Sequence, residues 1–239
     1  MDPGYVAVHM GEDRSHWWFR GRLAVITATL RRILPPHPVR LLELGCGTGN
    51  VLAALSEFGE AVGMETHLEL IAAARAAGLD VRTGRLPDDL GVAPGWADVV
   101  LLLDVIEHVD DDVAALVAAR RAVAHGGLLI VTVPAYRWLW SGHDEVLGHR
   151  RRYTAARLRA VVERAGFSVL RVSYFNTLLF PMLALVRVWK GLRGDRRHDL
   201  RRPAAPLNRL LERVFAFERH LVPHTPLPFG ASLLLIGRR

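Results

Sequence analysis

Glu43, Gly45, Gly47 and Gly49 fall at alternate positions in the segment LLELGCGTGN (41–50), and a second acidic residue, Glu65, follows Gly45 by twenty residues. Glycines at that spacing let the backbone turn tightly and bring main-chain amides against a ligand. A helix opening after Gly49 would aim its N-terminus at the same place. An acidic side chain at the end of the next strand accepts hydrogen bonds from both hydroxyls of a ribose. The pattern therefore points to an adenosine-bearing cofactor. Dinucleotide binders place their third glycine one position later, where this chain has Asn50. Glu65 alone serves any ribose-bearing ligand, and the plainer alternative is a tight strand–helix turn beside a solvated glutamate.

A second set of residues could carry out proton transfer or grip an acceptor. In open α/β sheets ligands bind beyond the carboxyl ends of the strands. That rule selects His108, Tyr136, Trp138, Trp140, His143, Asp144, His149, Arg152 and Tyr153. His143 titrates near neutral pH and its neighbour Asp144 could orient it, which makes them the candidate catalytic pair. Tyr136, Trp138, Trp140, His149, Arg152 and Tyr153 are the candidate acceptor-binding residues. The alternative is that these side chains tie a long loop to the sheet edge. Cys46 reads as a tolerated small residue inside the glycine loop. No metal site is expected: the eleven histidines are scattered, there is one cysteine, and Asp110–Asp112 suits a helix start.

These residues need a frame. Short apolar runs at 39–44, 61–64, 97–103, 128–133 and 168–174 read as buried parallel strands. Alanine- and leucine-rich stretches at 51–58, 68–77, 111–124 and 154–165 read as the helices between them, with glycines at the joints. A helix over 15–33 precedes the first strand and stops before Pro35-Pro36. The alternation predicts one α/β domain over 1–239 with a doubly wound, Rossmann-like sheet. Its parts are an N-terminal lid helix (12–35), a core (38–175 and 231–239) and a helical insert (176–230) before the last strand. Within the insert an apolar segment, 177–189, precedes an arginine-rich stretch, 193–202. A helix from Ala205 would carry Leu207, Leu210, Leu211, Val214 and Leu221 on one stripe.

Composition narrows the function classes. The chain has 239 residues, one cysteine, and 51% hydrophobic residues, which excludes a disulfide scaffold and a disordered chain. Residues 1–145 carry 12 basic and 19 acidic side chains, whereas residues 146–239 carry 19 and 5. The basic half suits an anionic partner: a phosphorylated substrate, a membrane surface or nucleic acid. The alternative is a solvated arginine-rich face. The start of the chain lacks the charge and apolar pattern of a signal peptide, and no apolar run approaches the ~20 residues of a spanning helix. The expected location is cytoplasmic, with peripheral membrane contact through the insert left open. Monomer and homodimer are both left open.

Several motifs together resemble a known family. E-x-G-x-G-x-G, the acidic Glu65, LDVIEHV at 103–109, HWWF at 16–19, VPAY at 133–136, LWSGHD at 139–144 and GHRRRY at 148–153 look like the class I S-adenosylmethionine-dependent methyltransferases. More narrowly they are similar to its small-molecule branch with an N-terminal HWWF helix. The resemblance is firm over residues 12–175 and looser in the tail. It implies a seven-stranded sheet, mostly parallel with the last strand antiparallel. It implies that Gly45, Gly47 and Asp104 hold the methionine part of S-adenosylmethionine, Glu65 the ribose, and Met64, Thr66, Arg85 and Leu86 the adenine. Trp18, Arg20, Glu43, Cys46, Gly49, Asn50, Val105 and His108 complete the expected cofactor pocket. Gly84 is followed by Arg85 where the family often has an acidic residue against the adenine amine, so that contact is in question.

The implied activity is methyl transfer to a hydroxyl, carboxyl or related nucleophile of a hydrophobic or anionic small molecule, natural-product-like or lipid-linked, releasing S-adenosylhomocysteine without a metal. The chain lacks the [DN]-P-P-[YF] signature of base-amine methylation, which argues against a nucleic acid substrate. Two alternatives remain, a nicotinamide-dependent oxidoreductase and a non-catalytic cofactor-binding partner subunit.

Overall fold

The computed structural model describes residues 14–192 and 202–239, apart from the side chains at 143 and 190–192. Seven strands form one sheet in the order β3-β2-β1-β4-β5-β7-β6, the first six parallel and the last antiparallel. They are β1 (Val39–Leu44), β2 (Gly59–Glu65), β3 (Asp80–Thr83), β4 (Ala97–Leu103), β5 (Val123–Pro134), β6 (Ser168–Phe175) and β7 (Ser232–Arg238). The helices are α1 (Trp17–Ile33), α2 (Asn50–Leu55), α3 (Leu68–Ala76), α4 (Asp112–Ala122), α5 (Gly142–Val146), α6 (Ala155–Arg164), α7 (Phe180–Leu192) and α8 (Ala205–Phe217). Among the described residues no helix is long and apolar enough to cross a membrane.

Contacts gather the chain into two compact units. The first draws on Met1–Leu34, Pro134–Thr154 and Ser173–Leu233; the second comprises Pro35–Val133, Ala155–Val172 and Leu234–Arg239.

The second unit is the strand–helix alternation. β1 pairs in parallel with β2 on one side and β4 on the other, with Leu44 opposite Met64 and Leu102. Leu41, Leu42, Leu44 and the run Val99–Leu102 are buried, because helices cover both faces of a parallel sheet. The expected strands and helices appear with small shifts at their ends. Two departures have local causes. β3, with the polar sequence Asp-Val-Arg-Thr, is an edge strand too short and hydrophilic to stand out as an apolar run. β5 starts at Val123 rather than Leu128, since Ala97 pairs with Val123 across an irregularity that spans the two glycines.

The first unit is built by long-range contacts. α1 packs on α8: Trp17 meets Phe215 edge to face with ring centroids 6.0 Å apart. A Cβ on Gly21 would stand 2.3 Å from the Phe215 ring, so only glycine allows the approach. Asn208 accepts from the Trp17 backbone N–H at 3.0 Å and donates to the Ser15 carbonyl at 2.9 Å. The single stripe expected on α8 is corrected here. Leu211 and Phe215 are buried beside Asn208, whereas Leu207 and Leu210 are exposed and Leu221 lies beyond the helix. Two different apolar stripes share that helix, and packing selected the one centred on the polar Asn208.

Candidate active site

In the second unit, β1 ends at Leu44 and the chain turns immediately. The Gly45 and Cys46 N–H groups both donate to the Met64 carbonyl, at 2.8 and 3.1 Å. The Gly49 N–H donates to the Cys46 carbonyl at 2.9 Å and α2 begins at Asn50. Gly45, Gly47 and Gly49 have φ of +75°, +57° and +79°. Side chains rarely adopt that region. A Cβ on Gly45 would also stand 2.8 Å from Val105 Cγ2. The loop is thus a tight cradle that the three glycines permit, with the Gly45, Cys46 and Gly49 N–H groups bonded inside the fold.

Glu65, at the end of β2, closes one side of the cradle. It is buried, and its Oε2 accepts from the Gly47 N–H at 3.0 Å. Its Oε1 accepts from the Thr66 N–H at 2.6 Å, the Thr66 hydroxyl at 3.1 Å and the His67 N–H at 3.1 Å. His67 Nδ1 lies 3.1 Å from the same oxygen. Burial pushes the carboxyl pKa up, but the hydrogen bonds from His67, Thr66 and Gly47 outweigh it and hold the group below its ordinary value. Glu65 is therefore an ionised acceptor presented at the glycine loop. Burial and the nearby carboxylates of Glu43 and Glu65 push the Cys46 thiol pKa far up, which removes it as a nucleophile. Glu43 is buried in β1 itself.

The neighbouring expected residues take supporting positions. Asp104 sits just past β4 with φ +58°, and its N–H donates to the Thr132 carbonyl at 3.0 Å. A non-glycine residue in that region costs about 1–3 kcal/mol and is held by its surroundings. Val105 covers Gly45, and the His108 N–H donates to the Val105 carbonyl at 3.0 Å. Gly84 donates to the Glu65 carbonyl at 3.2 Å, which brings the Arg85–Leu86 turn to the end of β2. Arg85 and Asp89 close that turn on each other.

The first unit holds the acceptor-side candidates. Asp144 is fully buried and accepts from Arg152 Nε at 2.7 Å, Arg152 Nη2 at 3.0 Å, His149 Nδ1 at 2.8 Å and the Ser141 N–H at 2.9 Å. Arg187 Nη1 stands 3.7 Å from the same carboxylate and donates to the Leu139 carbonyl at 2.6 Å. Burial opposes ionisation, but His149 and Arg152 hold the Asp144 carboxyl well below the usual range. The His143 side chain lies outside the described residues, and the carboxylate meant to orient it is engaged by His149, Arg152 and Ser141.

Arg152 also donates to the Ala135 carbonyl at 3.0 Å and is buried, so it braces the loop. The Tyr153 ring is fully buried, and its carbonyl accepts from the Tyr136 N–H at 2.8 Å. Both therefore follow the bracing alternative rather than facing an acceptor. Tyr136 has φ +55° and stacks on Tyr174 at 5.2 Å and Trp138 at 5.8 Å. Phe180 lies 5.7 Å from Tyr136 and 5.8 Å from Phe229. Burial and the hydrogen bond with Tyr174 push the Tyr136 phenol pKa up, so it stays protonated. Trp138 is 56% exposed and Phe229 43%, so these rings form a partly open aromatic surface. Trp140 is also partly exposed.

On α1, His16 caps the helix by accepting from the Trp18 N–H at 3.2 Å. Trp17 and Phe19 are buried, whereas Trp18 is half-buried under the Arg22 guanidinium at 4.8 Å. Arg20, expected at the cofactor, pairs with Glu212 of α8 at 2.8 Å. Sequence reasoning missed Ser141, Tyr174 and Glu218, whose partners lie far along the chain or in the backbone. Arg187, within the apolar segment, turns inward to the Leu139 carbonyl and Asp144. Arg193, Arg196 and Arg197 lie outside the described residues, as does the Lys190 side chain.

Residues 17–172 match the family described as "Methyltransferase domain". A probable S-adenosylmethionine-dependent methyltransferase of Mycolicibacterium smegmatis is 29% identical over 164 residues, 66% of this chain and 62% of that protein. A ubiquinone biosynthesis O-methyltransferase of Cereibacter sphaeroides is 35% identical over 103 residues, 41% of this chain and 42% of that protein. The matches thus span less than two thirds of those relatives. Among solved structures, the complex of the Haloferax volcanii Trm112 methyltransferase activator with a putative methyltransferase contains a similar chain. Its TM-score is 0.64 at 20% identity, covering 98% of this chain and 94% of that one. A possible histamine N-methyltransferase of Thermotoga maritima gives a TM-score of 0.60 at 19% identity, covering 98% of both. At those identities the likeness is one of fold.

Proposed function

This chain belongs to the methyltransferase-domain family, and we propose that it moves a methyl group from S-adenosylmethionine to a hydroxyl of an apolar, ring-bearing small molecule. One observation carries the proposal: the ionised Glu65 carboxylate held against a loop whose three glycines have positive φ. The residues fit the cofactor's chemistry. Glu65 supplies an acceptor for a ribose diol, and the positive-φ glycines let the chain turn sharply beside it.

When bound, S-adenosylmethionine supplies an electrophilic methyl on a sulfonium that is already a good leaving group. The protein's task is then mostly positioning. In the transfer one C–S bond breaks and one O–C bond forms, and the acceptor's proton goes to a base. The aromatic surface of Tyr136, Trp138, Phe180 and Phe229 supports an acceptor with a flat apolar ring. The hydroxyl acceptor draws on the name of the Cereibacter relative, an O-methyltransferase.

The test is calorimetric binding of S-adenosylhomocysteine and of NAD to the wild type and Glu65→Ala, followed by methyl transfer to a panel of phenols. The expected result is binding of S-adenosylhomocysteine alone, weakened about 10–100-fold by Glu65→Ala. NAD binding in its place would overturn the reading.

A further inference from the structure

The helix α7 presents two stripes with opposite fates. Phe180, Leu183, Ala184 and Arg187 recur at helical spacing and are half-buried, with Arg187 fastened to the Leu139 carbonyl. On the opposite side Leu178, in the turn before the helix, and Met182, Leu185, Val186 and Trp189 form a stripe that is exposed throughout. Leu185 is 71% exposed and Trp189 50%. Contiguous exposed apolar side chains of this size mark a surface that is covered by something else.

The helix is held as a rigid projection. Glu218 is fully buried, and its Oε1 accepts from the Thr177 and Leu178 N–H groups at 2.6 and 2.8 Å. The Thr177 hydroxyl donates to the Phe229 carbonyl. The entry to α7 is thus fixed from two sides, which orients the stripe outward whether or not anything is bound.

Charge selects the occupant. No Asp or Glu occurs between Glu163 and Asp195, and residues 187–202 contain seven basic side chains against two acidic ones. We propose that the exposed stripe of α7 docks on an anionic lipid surface, burying Leu178, Met182, Leu185, Val186 and Trp189 at the headgroup boundary. An apolar stripe followed at once by arginines is the arrangement that holds a helix in the plane of such an interface. Trp189 stands beside the basic run, where an amphipathic ring favours the boundary. A second copy of the chain fits the surface less well. A two-fold contact sets each stripe against itself and brings one basic run toward another.

The experiment is co-sedimentation of the full chain with vesicles of phosphatidylcholine alone and of phosphatidylcholine mixed with phosphatidylglycerol. Wild type is compared with Leu185→Glu and with Leu68→Glu, a control that adds the same charge at an exposed leucine of α3. Expected are binding to the anionic vesicles that weakens with salt, a loss of about tenfold or more for Leu185→Glu, and no change for Leu68→Glu. Circular dichroism confirms that both variants fold. Three results overturn the proposal: no sedimentation with either vesicle, equal binding by Leu185→Glu, or a dimer in size-exclusion chromatography that Leu185→Glu splits. None of these readouts depends on methyl transfer.

Discussion

The glycine cradle and the Asp144 cluster both enclose an ionised, buried carboxylate, yet they are built in opposite ways. Around Glu65 the donors are mostly main-chain amides from Gly47, Thr66 and His67, joined by the Thr66 hydroxyl and the His67 ring. Around Asp144 the donors include a two-toothed guanidinium, an imidazole ring and the nearby Arg187. Oε1 of Glu65 is taken up by Thr66 and His67, whereas Oε2 accepts only from the Gly47 N–H among the described residues, so Oε2 is the oxygen that a diol can address. Asp144 spends its lone pairs inside the protein. The difference teaches that burial and a lowered pKa do not by themselves mark a reacting group; the identity of the partners does.

The comparison breaks most visibly at Asp144. Asp144→Ala leaves the buried Arg152 guanidinium without its counter-charge, which should cost about 3–5 kcal/mol of stability in a denaturant melt. Glu65→Ala strands no guanidinium, and its thermal midpoint should fall by far less than that of Asp144→Ala. Equal losses in the two variants would erase the distinction drawn here.

A smaller effect separates the units by pH. Burial and the positive Arg202 lower the His16 pKa from 6.5 to about 4. The neutral ring accepts the Trp18 N–H, and a proton on Nδ1 would destroy that cap. The unfolded chain takes up the proton near 6.5 and the native one only near 4. The contribution is therefore fully present above about pH 6.5 and is lost as the pH falls toward 4. Melts across that window should show this loss, and His16→Asn, which caps without titrating there, should flatten it. The cap itself is worth about 1 kcal/mol.

The smallest change sharpens the acceptor side. Trp138 is mostly exposed, so Trp138→Ala should alter stability by less than about 0.5 kcal/mol. With a ring-bearing acceptor, KM should rise about threefold to tenfold while S-adenosylhomocysteine affinity stays unchanged.

Local pattern and long-range packing were unequally legible. The cradle lies within 21 residues of sequence, and its glycines and Glu65 carry their reason in their own backbone, so spacing alone predicts it. The Asp144 cluster was half legible: the residues stood out, but their pairing did not. Asp144 and His143 are neighbours in sequence, while the side chain that Asp144 engages belongs to His149, one helical turn and a loop away. Arg187 and Glu218 were still less visible, because the first reaches back 48 residues to Leu139 and the second 40 to Leu178. On α8, hydropathy marks two apolar stripes equally; only the contact of Asn208 with α1 decides which one is buried.

Asn208 carries one more consequence, which concerns order in time. It stands 191 residues after its partner Trp17. At roughly 5–20 residues per second of synthesis, the helix made first waits about 10–40 seconds for the surface that covers it. During that wait Trp17 and Phe19 have no partner from α8, and the nascent chain carries a sticky aromatic segment ahead of its sheet. The helix that carries Asn208, 191 residues further on, is what relieves it.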